Sequence, residues 1–354
     1  MKRKITYLFF AFFVLVTVSK TKAQDLHFSQ FYENAILRNP ALTGIFSGDY
    51  KVGVDYRTQW SSITPFNTAL ATAETRIMVD PIGDYLSFGV ATTYDKAGSI
   101  DFTSMQVYPA INFNKSMEDK HNSYFSVGFT GGYIQRSVDM SKMTFSSQAI
   151  GGVYNSNNAS GENLNFKQLQ TYDLGAGFSV NSSAGNNNQV NYYIGAAAYH
   201  VLKPNQTFSG DEQLVRLSTK WTGNLGLRCN VTDQFSFSIH FNYTAQDPYK
   251  ETIGGGLLGW RTHAAGSDNI ITVNAGAFYR VNDAIIPTVK IDYTHYSITM
   301  SYDDNTSTLK TATQGQGGFE ISLYIRGNYK REKSAADAVK CPRFEDINGT
   351  MQGQ

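Results

Sequence analysis

The chain of 354 residues is poor in cysteine, proline and charge: it has two Cys, eight Pro, and Asp, Glu, Lys and Arg make up only 17%. Cys229 and Cys341 are too few and too far apart in sequence to form a disulfide framework. Soluble domains carry roughly 25% charged residues, so this surface has less charge than water-facing folds usually show. Lys+Arg 30 against Asp+Glu 29 leaves no basic excess, which argues against a nucleic-acid partner. Heptads and 20–50-residue repeats are missing. So are HExxH, a GxSxG elbow, a Walker loop and a dinucleotide-binding GxGxxG, and nothing predicts a metal or cofactor. What is plentiful is Gly 31, Tyr 22 and Phe 23, with 41% hydrophobic residues overall. That mixture excludes intrinsic disorder and favours strands edged with aromatic side chains.

The N-terminus reads as an export signal over residues 1–23. Lys2, Arg3 and Lys4 precede an apolar run from Leu8 to Val18, followed by a small-residue cut between Ala23 and Gln24. The run is shorter than the ~20 residues that span a bilayer as a helix. No cysteine follows the cut, which argues against a lipid anchor. Losing the leader removes Lys2, Arg3, Lys4, Lys20 and Lys22 and leaves the mature chain slightly acidic. Export into an oxidising compartment permits a Cys229–Cys341 disulfide, and two unpaired thiols is the other reading.

Beyond the leader, segments of about ten residues alternate with a period of two. Phe235, Phe237, Ile239, Phe241 and Tyr243 share one face, opposite Ser236, Ser238, His240, Asn242 and Thr244. Phe319, Ile321, Leu323 and Ile325 likewise oppose Glu320, Ser322, Tyr324 and Arg326. A soluble sandwich would turn the apolar face inward, and a membrane barrel would turn it to lipid. Three features favour the membrane. Aromatic residues mark the ends of the apolar faces (Tyr50, Trp60, Tyr85, Tyr94, Trp260, Tyr279, Tyr293), as interfacial girdles require. Ionisable residues fall on the opposite face: Lys51, Asp55, Arg57, Lys220, Lys290, Asp292, Glu320 and Arg326. The segments also match the ~9–11 residues of a tilted membrane strand.

The expected fold is all-β, a transmembrane antiparallel β-barrel over residues 49–329 in the outer membrane. Fourteen segments (49–60, 66–77, 85–95, 102–114, 123–136, 171–181, 190–201, 214–229, 233–245, 250–261, 270–280, 285–294, 296–303 and 317–328) give the count, within a range of 12–16. An even number places both ends in the periplasm. Long connections 137–170, 202–213 and 304–316 then face outward and shorter ones inward. Segments 66–77 and 250–261 alternate poorly. Residues 24–48 are expected as a periplasmic N-terminal extension, and residues 330–354 as a periplasmic C-terminal tail.

Catalytic chemistry has little support. The six histidines are scattered, and His240 shares a face with Ser236 and Ser238 but has no carboxylate at a recognisable spacing. The chain reads as a non-enzyme, with a passive or selective porin and, further off, a barrel hydrolase as alternatives.

Four motifs carry a resemblance. Phe28-Ser29-Gln30-Phe31 followed by Asn39-Pro40-Ala41-Leu42-Thr43-Gly44, then Tyr56-Arg57-Thr58-Gln59-Trp60, then Ser301-Tyr302-Asp303 with Gly317-Gly318-Phe319-Glu320-Ile321-Ser322-Leu323, and last Cys341-Pro342-Arg343-Phe344 resemble the PorP/SprF family in the family's order. The resemblance implies a Bacteroidota outer-membrane barrel of the type IX secretion system and, in some members, of gliding motility. It implies as partners the periplasmic ring and peptidoglycan-associated components, and a secreted adhesin or other client that is exported or held at the cell surface. It offers no catalytic residues. The outer loops would meet the client, while 24–48 and Lys330–Phe344 would meet the periplasmic machinery. Arg343 would supply a charge-assisted contact and Phe344 an apolar anchor.

Overall fold

β-Branched and aromatic residues alternating with Ser, Thr, Asn and charged residues suit a pleated ribbon with a different solvent on each side. A computed structural model describes residues 26–59, 65–79, 83–161, 168–185, 188–208, 215–262, 270–307 and 316–329. The strands are β1 (Tyr50–Gln59), β2 (Phe66–Met78), β3 (Tyr85–Ala97), β4 (Phe102–Ser116), β5 (Tyr124–Ser137), β6 (Gln168–Ala184) and β7 (Val190–Tyr199). They continue as β8 (Lys220–Asn230), β9 (Phe235–Gln246), β10 (Tyr249–Arg261), β11 (Ile271–Arg280), β12 (Ala284–Tyr293), β13 (Tyr296–Asn305) and β14 (Gln316–Gly327). Each pairs antiparallel with its chain neighbours, and β14 returns to β1 in a register that sets Tyr50 opposite Gly327 and Asp55 opposite Ser322. The result is the expected closed barrel of fourteen strands. Closure leaves no unpaired edge in the bilayer, where an unsatisfied backbone group is costly. Among the described residues no helix is long and apolar enough to cross a membrane; the strands make the crossing.

Sidedness follows the alternation. Val52, Val54 and Tyr56 of β1 point outward and are exposed, while Lys51, Asp55 and Arg57 point inward and are buried. Tyr94, Trp260, Tyr279 and Tyr293 lie on the outer surface, as a girdle requires. Tyr85 does not: it faces the lumen, 2% exposed, edge-on to Tyr124 at 5.4 Å between ring centroids. Trp60 lies outside the described residues.

The segment expected to begin at 214 enters the barrel only at Lys220. Its first part turns back on the preceding loop, where Asn205 bridges Arg216 and the Leu217 N–H donates to the Pro204 carbonyl at 2.9 Å. In the connection between β5 and β6, Ala149–Ile150 and Val153–Tyr154 form a short hairpin.

The N-terminal segment departs furthest from expectation. Residues 26–48 do not extend below the barrel. They fold back into the lumen as short helical turns, Phe31–Glu33, Ala35–Arg38 and Pro40–Leu42. Phe28, Gln30, Tyr32, Glu33, Ile36, Asn39, Ala41, Leu42 and Phe46 are all buried there. The physical reason is mutual need: the segment supplies aromatic and hydrogen-bonding groups that the wall's inner face would otherwise leave unpartnered.

This plug also explains the two poorly alternating segments. In β2, Leu70 points inward and packs with Phe28, Ile36, Ala91, Tyr108, Ala110 and Ile134. In β10, Ile253 and Leu257 point inward against Phe31, Tyr32, Phe278, Ala284 and Ile286. Where the lumen is filled with aromatic side chains instead of water, the inner face is free to be apolar.

Candidate functional site: the plugged lumen and its rims

Wall and plug share one charge network at the end of the barrel where β1 finishes and β14 begins. An even strand count is expected to leave both chain ends in the periplasm, which makes this the outer end. Arg57 donates to Asp303 at 2.7 Å, and its Nε lies 3.7 Å from Glu320. Arg280 reaches Asp303 at 3.1 Å, Asp283 at 2.9 Å and Glu251 at 3.6 Å. The plug completes the set. The Ser29 and Gln30 backbone N–H groups donate to the two Glu320 carboxylate oxygens at 2.7 and 2.8 Å. The Ser29 hydroxyl donates to Asp303 at 2.6 Å and accepts from Arg280 at 2.7 Å. The Gln30 side chain donates to Ser301 at 3.1 Å and accepts from Ser322 at 2.5 Å.

Lower in the lumen, Glu33 is the counter-ion for three wall cations: Lys290 at 2.6 Å, Arg326 at 3.3 Å and Lys51 at 3.8 Å. Beside it, Asn34 donates to Asp55 at 3.3 Å and accepts from the Tyr324 hydroxyl at 2.6 Å. Buried ions are tolerated here because each cation has a carboxylate beside it.

The Asn39-Pro40-Ala41 turn lies directly on the wall. The Asn39 side chain donates to the Phe178 carbonyl at 3.1 Å and to Asn224 at 2.9 Å, and accepts from the Ala41 N–H at 2.9 Å. The Ala41 carbonyl accepts from Asn112 and Ser179, both at 3.0 Å. Two inward glycines make room for this approach: a Cβ on Gly128 would sit 2.3 Å from the Pro40 carbonyl carbon, and one on Gly177 would sit 2.1 Å from the Asn39 Oδ1. The Asn-Pro-Ala motif is therefore an anchor, and its glycine partners lie far away in sequence.

His240, weighed above for catalysis, is buried and stacks on the plug's Tyr32 at 4.8 Å between centroids. A second histidine, His200, was not singled out by the sequence. It is 1% exposed at the end of β7, with Nδ1 2.7 Å from Asp173, which also accepts from Tyr108 at 3.1 Å. Its carboxylate partner lies on the neighbouring strand, so no sequence spacing could have revealed the pair.

The two rims differ. On the outer side, Asp101 in the β3–β4 turn holds Lys96 at 3.0 Å and Lys142 of the long loop at 2.5 Å. The hydrogen bond from Lys142, then that from Lys96, pulls the Asp101 carboxyl below the usual carboxylate range, and Asp101 in turn raises Lys142. Ile150, Val153 and Tyr154 stand exposed on the loop's hairpin. On the inner side, Cys229 is half-buried on the lipid-facing side of the wall near the end of β8, opposite Val190 and Phe237. Cys341, Arg343, Phe344, Ala23 and Gln24 lie outside the described residues, so the disulfide, the tail contacts and the cleavage point stand as proposals.

Fold and site together define a class: an outer-membrane β-barrel whose own N-terminal segment occupies its lumen. The sequence profile described as "Type IX secretion system membrane protein PorP/SprF" matches residues 20–325, and the chain belongs to that family. No curated protein matches it. Among solved structures, a deltaS2 mutant of the TodX monoaromatic hydrocarbon channel is similar at 10% identity with a TM-score of 0.52, covering 84% of this chain and 94% of that one. A deltaS2S3 mutant of the same channel gives 10% identity and a TM-score of 0.50 over 82% and 92%. The toluene transporter TbuX of Ralstonia pickettii gives 11% and 0.49 over 83% and 93%. At such identities the TodX likeness bears on the fold alone.

Proposed function

We propose that the protein serves type IX secretion as a non-enzymatic outer-membrane component that supports export or cell-surface attachment of a partner protein, adhesin-like in character. Family membership supplies the machinery. The observation that carries the finer reading is the filled lumen: residues 26–48 occupy the interior with matched ion pairs and hydrogen bonds, so the protein offers rims to other proteins more readily than a passage to solutes. The outer loops would meet the client, with the Ile150/Val153/Tyr154 hairpin as an exposed apolar tip. With residues 26–48 enclosed, the tail Lys330–Phe344 becomes the main candidate for the periplasmic machinery. The filled lumen favours this reading over a passive porin, and the use of His240 as a stacking partner for Tyr32 favours it over a barrel hydrolase.

Affinity capture of the tagged full-length protein from its own outer membrane, with mass spectrometry, tests the proposal. Secretion-system components and a large exported protein are expected in the eluate. Recovery of neither, with secretion unaffected by loss of the gene, overturns it. A chain cut before Lys330 should keep its barrel and lose the periplasmic partners; full retention of them removes the tail from the account.

A further inference from the structure

The lumen is not filled completely. In its outer half, beside the plug, a cavity of about 60 Å3 is lined by the apolar Phe28, Phe31 and Leu37 and by Arg38, Lys220 and Glu251, among others. A water needs roughly 10–15 Å3, so the space holds several waters or one short organic ion. Half-buried His27, Tyr249 and Glu251 also line it.

Arg38 is the unusual group. It is 7% exposed, and its guanidinium lies 5.8 Å from the Phe31 ring centroid and 5.2 Å from that of Tyr193. One terminal nitrogen donates to the Tyr193 hydroxyl at 2.7 Å. Its buried Nε has no hydrogen-bond partner, as is also true of the Nε of Arg57 and Arg280; what sets Arg38 apart is its lack of a counter-charge. Lys51, Arg57, Arg280, Lys290 and Arg326 each meet a carboxylate in the lumen, whereas Arg38 has none within 4.0 Å among the described residues. The carboxylate on the cavity wall, Glu251, is engaged by Arg280 at 3.6 Å and by the Tyr249 hydroxyl at 3.1 Å. A buried guanidinium without a counter-charge is costly, and a guanidinium pairs well with a carboxylate. Lys220, 8% exposed with its ammonium 4.8 Å from the Tyr199 ring centroid, adds a second positive charge to the same wall.

We propose that this cavity is a carboxylate-binding site built on Arg38 and Lys220, taking a short apolar carboxylic acid or the carboxyl terminus of a polypeptide. The apolar floor receives the ligand's body, and the guanidinium edge receives its charge. The site is independent of the export reading, because binding can be measured without any client.

The test is calorimetric titration of the full chain in detergent, in carboxylate-free buffer, with three probes: propionate, acetyl-Ala-Ala-Ala with a free carboxylate, and the same peptide as its amide. Saturable binding of propionate, or of the peptide acid over the amide, is expected, and the preferred probe identifies the source of the carboxylate. Arg38→Gln should weaken binding at least tenfold and Lys220→Gln less, while Arg228→Gln, on the lumen side nearer the inner end, should leave it unchanged. Heat-modifiable gel mobility certifies that each variant is folded. Failure of both acids to bind the wild type, or equal binding by a folded Arg38→Gln, overturns the proposal; if Arg38→Gln does not fold, Lys220→Gln decides by the same criterion.

Discussion

One short stretch of plug meets two unlike walls. Ser29, Gln30, Glu33 and Asn34 turn their polar groups to β14, β13, β12 and β1, where Glu320, Ser301, Ser322, Lys290, Arg326 and Asp55 receive them. Phe31 and Tyr32, between them in sequence, turn to Ile253, Leu257, Phe278 and Ile286 on β10, β11 and β12. Around the first set of partners the wall keeps the polar inner face that a water-filled barrel would have, and around the second it turns apolar, with β12 carrying Lys290 in one and Ile286 in the other. A barrel's inner chemistry is thus set by whatever fills it, and the apolar-out, polar-in rule holds only where the filling is polar.

The largest expected effect comes from removing the filling. The intact barrel should stay silent in planar bilayers, and excising residues 27–46 behind a flexible linker should make it conduct. Equal conductance from the intact chain would erase the distinction between plugged and open lumen. The next effect separates the polar wall from the lipid face. Glu33→Gln leaves Lys51, Lys290 and Arg326 without their shared counter-ion and should cost about 3–5 kcal/mol, read as the urea midpoint of folded barrel in lipid vesicles. Val54→Ala, on the outward face, should cost under about 2 kcal/mol in the same assay. Similar losses for both would mean that the Glu33 cluster contributes little.

The outward face was largely legible in the sequence. Strand count, closure and the inward placement of Lys51, Arg57, Lys290 and Glu320 follow from a period of two, because lipid is uniform and imposes the same demand on every strand. The plug was not legible. Its turns are too short to show a helical period, and its partners, such as Glu320 for Ser29 or Asn224 for Asn39, sit in distant strands. A signal was nonetheless present. Poor alternation around Leu70, and around Ile253 and Leu257, marks strands whose inner face meets something other than water. Read together with the aromatic, Asn-rich stretch before β1, those breaks point to an occupant. Tyr85 was placed in the girdle by its position at a strand end, which cannot distinguish the two faces.

Smaller effects sharpen the contrast between crowded and open positions on the wall. At Gly128 an added side chain meets the plug backbone, so Gly128→Val should cost about 1–3 kcal/mol by overpacking. At Gly223 a Cβ meets nothing within 4 Å, so Gly223→Ala should be close to neutral in the same unfolding assay. Equal costs would mean that the Pro40–Ala41 turn yields easily.

The smallest effect belongs to the outer rim, where solvent screens what the lumen shields. Asp101 is held below its ordinary value by Lys142 and Lys96, so the contribution of this tether is complete above the ordinary carboxylate value of about 3.9 and fades as pH falls through the lowered one. Lys142 is raised by the same contact, so its contribution is complete below the ordinary lysine value of about 10.4 and fades as pH rises through the raised one. The long outer loop should therefore stay pinned across neutral pH, and Asp101→Asn should release it there. Trypsin nicking after Lys142 at pH 8 is expected to be faster in that variant, and pepsin nicking of the wild-type loop to rise only in strong acid. A loop cut equally fast with and without Asp101 would show that the tether is cosmetic.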